Sequence, residues 1–242
     1  MSQDALPEPP TPPFSAAIFD MDGLLLDSER PILEAWLTAS RELCADISPE
    51  IFLSVLGRRA ADAGAQFRAS FPEGYPFDKA RARVQELLAA HRDGCGFALK
   101  PGVLPLLGAL KARGVPCAVA SSTRRAEVER RLAKCDLTSY FQALVGGDEV
   151  ERGKPDPDVF LRAAERLGVA PRGCVVFEDM EHGARGAIAA GMKVVLVPDL
   201  KEPSDGFRSE CLAVLASLDM IAAQLEGWFP SGAGLDTQNE RK

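Results

Sequence analysis

The chain has 242 residues, 46% of them hydrophobic, with 35 Asp and Glu against 28 Lys and Arg and a formal net charge of −7. This is enough apolar material for a buried core, at a length that suits one large domain or one domain carrying an insertion. The acidic balance and the lack of long basic runs argue against sequence-independent nucleic-acid binding, and with only His91 and His182 available a three-histidine zinc site is excluded.

Residues 1–13 hold five prolines and little to bury, which predicts a disordered tail and no secretory signal. Ala16-Ala17-Ile18-Phe19 reads as a buried strand that stops abruptly at the turn Asp20-Met21-Asp22-Gly23. From Glu29 the spacing becomes helical, with Ile32, Leu33, Trp36, Leu37 and Leu43 on one face and Trp36 read as a packing residue. Ser48-Pro49-Glu50 opens a second helix that Gly57 ends, and further helices are predicted over 60–69 and 78–91. No strand is predicted between Arg30 and Phe97.

After Lys100-Pro101-Gly102 helices and strands alternate. Helices are predicted over 103–113, closed by Gly114, over 125–135, from the Asp156-Pro157 cap to Leu167, closed by Gly168, and over 183–190. Strands are predicted over 115–120, 143–145 and 174–177, with 193–197 as the last. The fold class is therefore α/β, a Rossmann-like parallel sheet core over 14–29 and 98–226, interrupted by an all-helical insertion at 30–97. Residues 227–242 are expected to be a flexible tail. The insertion carries 9 basic and 9 acidic residues, so the whole −7 lies outside it.

The cysteines Cys44, Cys95, Cys117, Cys135, Cys174 and Cys211 are dispersed with no C-x-x-C pair, and are expected to be small buried hydrophobes in a reducing compartment. No uninterrupted apolar stretch reaches the roughly 20 residues of a membrane span. A cytoplasmic protein with no membrane partner is expected.

Each polar cluster of note directly follows a strand: Asp20 and Asp22 the first, Ser121 the second, Glu178 and Asp179 the fourth. The carboxyl edge of an open parallel sheet is where ligands bind. Four carboxylates converging there would repel one another unless a cation neutralises them, and an all-oxygen set suits Mg²⁺. Taken singly, an Asp after a strand is as well explained as a cap or turn former.

Ile18-Phe19-Asp20-Met21-Asp22-Gly23 with Asp27-Ser28-Glu29, then Ser121, then Gly153-Lys154-Pro155-Asp156-Pro157, then Phe177-Glu178-Asp179 with Gly183, resembles the four ordered motifs of the haloacid dehalogenase superfamily. The resemblance runs from about Phe14 to Val197, and the helical insertion resembles the cap of its β-phosphoglucomutase-like and phosphoglycolate-phosphatase-like branch. It implies Asp20 as the nucleophile that forms an aspartyl phosphate, and Asp22 as general acid and then base. It implies Ser121 and Lys154 as phosphate-facing catalytic groups. Mg²⁺ would be held by Asp20, Asp22 through its backbone carbonyl, Glu178 and Asp179. Ser122, Thr123 and Arg124 would face the substrate. Arg58 and Arg59, between two cap helices, are either solvated or grip the substrate's distal end. His182 is read as a loop or helix-start residue, and Ser121 can also be read as an N-cap.

The expected activity is a Mg²⁺-dependent phosphatase acting on a small phosphorylated metabolite, with sugar phosphates among the candidates, as a monomer or weak homodimer. A β-phosphoglucomutase-type mutase is the alternative, but such enzymes carry a His twelve residues after the nucleophile, where this chain has Ile32. A non-catalytic binding module on the same fold is the third reading.

Overall fold

Six short apolar runs form strands: β1 (Ala16–Phe19), β2 (Cys117–Ala120), β3 (Ala143–Val145), β4 (Cys174–Glu178), β5 (Lys193–Leu196) and β6 (Ala213–Val214). They make one all-parallel sheet in the order β3-β2-β1-β4-β5-β6, with Phe19 in register with both Val119 and Phe177. The computed structural model describes residues 13–45, 47–94 and 96–230. The predicted tail at 1–12, the tail beyond residue 230 and Cys95 lie outside the described residues.

Ten α-helices are described: α1 (Glu29–Glu42), α2 (Pro49–Leu53), α3 (Ala60–Ala69), α4 (Phe77–Leu87), α5 (Ala89–Asp93), α6 (Val103–Ala112), α7 (Arg125–Lys134), α8 (Asp158–Leu167), α9 (Glu181–Ala189) and α10 (Leu225–Trp228). The period of two along β1 sends Ala17 and Phe19 to one face of the sheet and Ala16 and Ile18 to the other. Apolar positions of α6, α7 and α10 cover the first face, and those of α8 and α9 the second. Both faces are thus buried, which is why the strands read as continuous apolar runs. No helix among the described residues is long and apolar enough to cross a membrane.

Helices α1–α4 enclose a second apolar cluster. Trp36 is at its centre, edge-on to Phe67 at 4.8 Å and tilted against Phe77 at 5.3 Å. The two crossings between this layer and the sheet lie side by side: Asp27 N–H donates to Ala98 O at 2.8 Å and Lys100 N–H to Leu25 O at 3.0 Å. The nearly buried Asp199 carboxylate ties both crossings down, accepting from Arg30 at 2.5 Å and from Lys100 at 2.6 Å.

The structure corrects several expectations. The helix expected over 78–91 is broken at Leu88, whose side chain packs against both the cap cluster and the sheet cluster. The strand β5 is not the last: Leu212 N–H to Val194 O and Leu215 N–H to Leu196 O, both 2.8 Å, dock β6 at the sheet edge. Residues 227–230 are not a loose tail. Phe229 is fully buried against Phe14, and Phe14 N–H donates to Trp228 O at 2.8 Å. Cys44 is exposed, in a left-handed turn at φ 59°, while Cys135 and Cys211 are half-buried and Cys117 and Cys174 buried. Burial pushes the Cys117 thiol up to about 12, so it stays protonated and inert.

Candidate active site

The sheet's strand order fixes where the site must be. From β1 the chain adds β2 and β3 on one side, then returns to add β4, β5 and β6 on the other. The order reverses between β1 and β4, and the crevice at that switch point lies beyond their carboxyl ends. Backbone pairing carries the ladder one residue past each strand: Asp20 N–H donates to Phe177 O and Ser121 N–H to Val145 O, both at 3.0 Å. The side chains that follow β1, β2 and β4 are therefore delivered on rigid backbone to one crevice.

Asp20, Ser121, Lys154, Glu178 and Asp179 are all buried there. The Lys154 ammonium makes an ion pair with Asp20 and donates to Glu178 Oε1 at 2.7 Å. The other Glu178 oxygen accepts the Met180 N–H at 2.8 Å. Burial alone would raise the Glu178 carboxyl, but Lys154 holds it below its usual value. In turn burial would lower Lys154, and the charges of Asp20 and Glu178 raise it instead, so it remains a cation. Gly183 is required at the first turn of α9, because a Cβ there would overlap the Glu178 carboxylate.

Negative charge still exceeds positive charge in the crevice. Burial lifts Asp20 to about 7 despite Lys154, and lifts Asp179 well above its usual value, with Glu29 the next contributor. Glu29, at the start of α1, is buried and raised to about 9 by burial and by Asp22 and Asp20. Two of these buried oxygens, Asp179 Oδ2 and Glu29 Oε2, have no hydrogen-bond partner. Orphaned carboxylate oxygens in an apolar setting are costly. Asp20, Glu178 and Asp179 each present an oxygen within 4.8 Å of the others. An all-oxygen set with unsatisfied charge fits a hard divalent cation such as Mg²⁺. Gly23, at φ 83°, leaves room for this arrangement, since a Cβ would strike the Asp179 and Glu29 carboxylates.

The Asp22 side chain lies outside that group of three and is engaged elsewhere. It accepts from Ser28 Oγ at 2.5 Å, from Thr123 Oγ1 at 2.8 Å and from the Arg131 guanidinium. As a metal ligand it could contribute only its backbone oxygen. Asp20, Asp22 and Ser121 line a cavity of about 140 Å³ together with cap residues Phe52, Leu56, Gly57 and Arg58. Ser122 and Thr123 also line it, and Ser122 Oγ donates to Gly57 O of the cap at 2.6 Å.

Other expectations are corrected. Arg124 is exposed at the N-cap of α7 and does not line the cavity. Ser121 is not that cap; its hydroxyl accepts the Thr123 N–H at 3.1 Å. Arg59 is neither solvated nor turned to the substrate. Its guanidinium donates to the carbonyls of Gly147, Val150 and Glu151 at 3.1, 2.8 and 2.9 Å, and to Asp62, so it ties the cap to the loop that carries Lys154. His182 is the second residue of α9, with its ring against Gly57, and burial holds its pKa below the usual value. Two site residues escaped the sequence reading. Glu29 enters the sequence reading only as part of a motif, and Arg131 only as a residue within the helix predicted over 125–135.

The haloacid dehalogenase-like hydrolase profile matches residues 17–197. The chain is 32% identical over 208 residues to hexitol phosphatase A of Escherichia coli, covering 84% of this chain and 91% of that one. It is 32% identical over 180 residues to a phosphorylated carbohydrates phosphatase of Thermotoga maritima, covering 74% and 82%. Not every relative is matched along its length: the chain spans 55% of a bifunctional riboflavin kinase/FMN phosphatase of Arabidopsis thaliana, at 29% identity. Among solved structures, a HAD family hydrolase of Deinococcus radiodurans with bound phosphate and sodium superimposes with a TM-score of 0.72 at 28% identity, covering 91% of this chain and 98% of that one.

Proposed function

The chain belongs to the haloacid dehalogenase-like hydrolase family, and we propose that it is a Mg²⁺-dependent phosphatase that hydrolyses a small phosphorylated metabolite through an aspartyl phosphate. The observation that carries this reading is the buried Asp20 at the switch point, paired with Lys154 beside two further carboxylates with room for a cation. Relatives that act on hexitol, carbohydrate and fructose phosphates support the substrate class.

The metal would be held by Asp20, Glu178 and Asp179, with the Asp22 backbone carbonyl, and would supply positive charge where the phosphoryl oxygens meet this acidic crevice. Asp20 attacks phosphorus: the new bond is from its carboxylate oxygen, and the bond to the leaving alkoxide breaks. Asp22 gives its proton to that alkoxide, then takes one from the water that attacks the aspartyl phosphate. Lys154 holds Asp20 in place and offsets its repulsion of the phosphoryl group. The Ser121 hydroxyl, buried at the end of β2, is the donor placed for a phosphoryl oxygen. Cap residues Phe52, Leu56 and Gly57 line the cavity together with Asp20 and Ser121 and would shield a bound phosphoryl group from part of the bulk water.

The cavity volume, well under the roughly 300–1,000 Å³ of drug-sized sites, suits a short leaving group. The mutase reading is weakened by Ile32, an apolar residue lining the cavity where a histidine is expected, and by the placement of Arg124 outside it. A reducing, cytoplasmic setting is consistent with the free thiols of the five described cysteines. The test is a screen of phosphorylated metabolites for phosphate release by purified protein with Mg²⁺. Turnover of one or more small phosphate esters is expected, and interconversion of hexose phosphate isomers without phosphate release would replace this reading with the mutase.

A further inference from the structure

All five N–H groups of the Arg59 guanidinium are engaged. Nε and Nη2 donate to the two Asp62 oxygens at 2.6 and 2.8 Å, Nη1 to Gly147 O and Val150 O at 3.1 and 2.8 Å, and Nη2 also to Glu151 O at 2.9 Å. Two glycines complete the seat, because a Cβ on Gly147 or on Gly153 would overlap the Arg59 side chain. Asp62 alone would hold the guanidinium on the cap. The three carbonyls and the two glycine backbones all belong to the core, and they leave the side chain only 14% exposed.

Residues 150–157 form neither helix nor strand, and Lys154 is in their midst. Asp20 and Ser121 are set in place by backbone pairing with neighbouring strands, whereas Lys154 must reach Asp20 and Glu178 from this irregular segment. Carbonyls of irregular backbone need partners from outside the segment. Arg59 supplies them at 147, 150 and 151, and Gly153, the residue before Lys154, lies flat against it. The other arginine of the segment, Arg152, pairs with Asp158 while 61% of its side chain is exposed, and such a pair constrains the backbone little. The cap turn that carries Arg59 is itself anchored to the core, since Ser122, next to Ser121, donates to Gly57 O at 2.6 Å. Arg59 therefore bridges two core loops, one bearing Ser121 and the other Lys154.

We propose that Arg59 is a positioning residue: from the cap it holds the backbone before Lys154 against the loop of Ser121, and so fixes where the Lys154 ammonium stands between Asp20 and Glu178. The inference deepens the phosphatase reading and rests on it for the catalytic consequence. Placement at a reacting centre is steep, and an error of about 1 Å costs on the order of 100-fold in rate. Arg59 is not among the residues that line the cavity, so its loss acts through Lys154 on kcat and leaves the groups that bind substrate in place. The fork matters as well as the charge, because an ammonium has only three donors and cannot serve three carbonyls and Asp62 together.

Chemical labelling tests the placement without reference to turnover. The original protein and Arg59→Ala would be treated with sulfo-NHS acetate and with N-ethylmaleimide, and mass spectrometry would follow Lys154 and Cys174, a fully buried thiol of β4. Acetylation of Lys154 should accelerate about tenfold more than alkylation of Cys174 in Arg59→Ala, with Arg59→Lys between the two proteins. Equal acceleration at both positions, the signature of a merely destabilised fold, or an unchanged Lys154 rate overturns the proposal. With a small phosphate ester, kcat should fall about tenfold or more in Arg59→Ala while KM stays within about threefold, and Arg59→Lys should recover part of the loss. Gly153→Ala, which drives the guanidinium from its seat with its charge intact, should slow the enzyme as Arg59→Ala does, and the double variant should be no slower than either. Additive losses, or a loss confined to KM, overturn the proposal. Absence of turnover with every ester removes the phosphatase reading, while the labelling comparison still decides whether Arg59 positions Lys154.

Discussion

Replacing Lys154 by methionine keeps the length and apolar stem of the side chain and removes the charge that Asp20 and Glu178 share. Glu178 is 2% exposed, so without Lys154 its carboxylate has no water to fall back on. Glu178, now held below its usual pKa by Lys154, would be raised like Asp20 and Asp179. An acid whose folded pKa lies above its unfolded value binds its proton more tightly in the folded state. Its folded form therefore loses stability as pH rises through the interval between the two values. For one carboxylate with an unfolded pKa near 4.3, forced to hold its proton, the cost is about 1 kcal/mol at pH 5 and about 4 kcal/mol at pH 7. That upper value agrees with the roughly 3–5 kcal/mol for breaking a buried pair from one side. Urea unfolding of the original and Lys154→Met proteins in EDTA, at pH 5 and pH 8, measures this directly. The loss should be several-fold larger at pH 8. An equal loss at both pH values, or none, would refute the claim that Lys154 holds the buried Glu178 carboxylate in its charged form.

Three other outcomes follow from the same geometry. Because Asp20 and Glu29 sit at about 7 and about 9 without metal, protons compete with the cation, so the rise in melting temperature with saturating Mg²⁺ should be greater at pH 8 than at pH 6 and absent in Asp179→Asn; a pH-independent rise would contradict the fit. Arg59→Ala removes three hydrogen bonds from a guanidinium to backbone carbonyls and should cost about 1.5–3 kcal/mol in urea unfolding, where a solvated arginine would cost less than roughly 0.5 kcal/mol. Phe229→Ala should cost about 3–5 kcal/mol, because the ring is fully buried against Phe14, and a neutral outcome would restore the reading of residues 227–230 as a tail.

The parts of the site carried by strands were legible in sequence, and the parts carried by helix surfaces were not. Asp20, Ser121 and Glu178 each end a continuous apolar run, with Asp179 next to Glu178, and in a parallel sheet that position alone directs a side chain to the ligand edge. Arg131 sits in Arg-Ala-Glu-Val-Glu-Arg-Arg-Leu-Ala-Lys, where charges on an amphipathic helix normally face water. Its half-buried placement depends on the Phe97 ring and Asp22, 34 and 109 positions away in the chain. The same holds for Arg59, whose three acceptors belong to the loop after β3. The β6 strand has two half-buried residues, too few to show a period, and is held by its neighbours' backbone groups. Trp36, by contrast, is legible as packing because it falls on the apolar face of α1, where Phe67 of α3 and Phe77 of α4 meet it.

The central claim is that Asp20 attacks phosphorus in a site completed by a divalent cation. The most direct measurement is phosphate release from p-nitrophenyl phosphate by the purified protein and by Asp20→Asn, each with Mg²⁺ and with EDTA, after circular dichroism has shown the same fold. Release by the original protein that EDTA abolishes, and that Asp20→Asn lacks even with Mg²⁺, is the result predicted. Undiminished release by Asp20→Asn would contradict it.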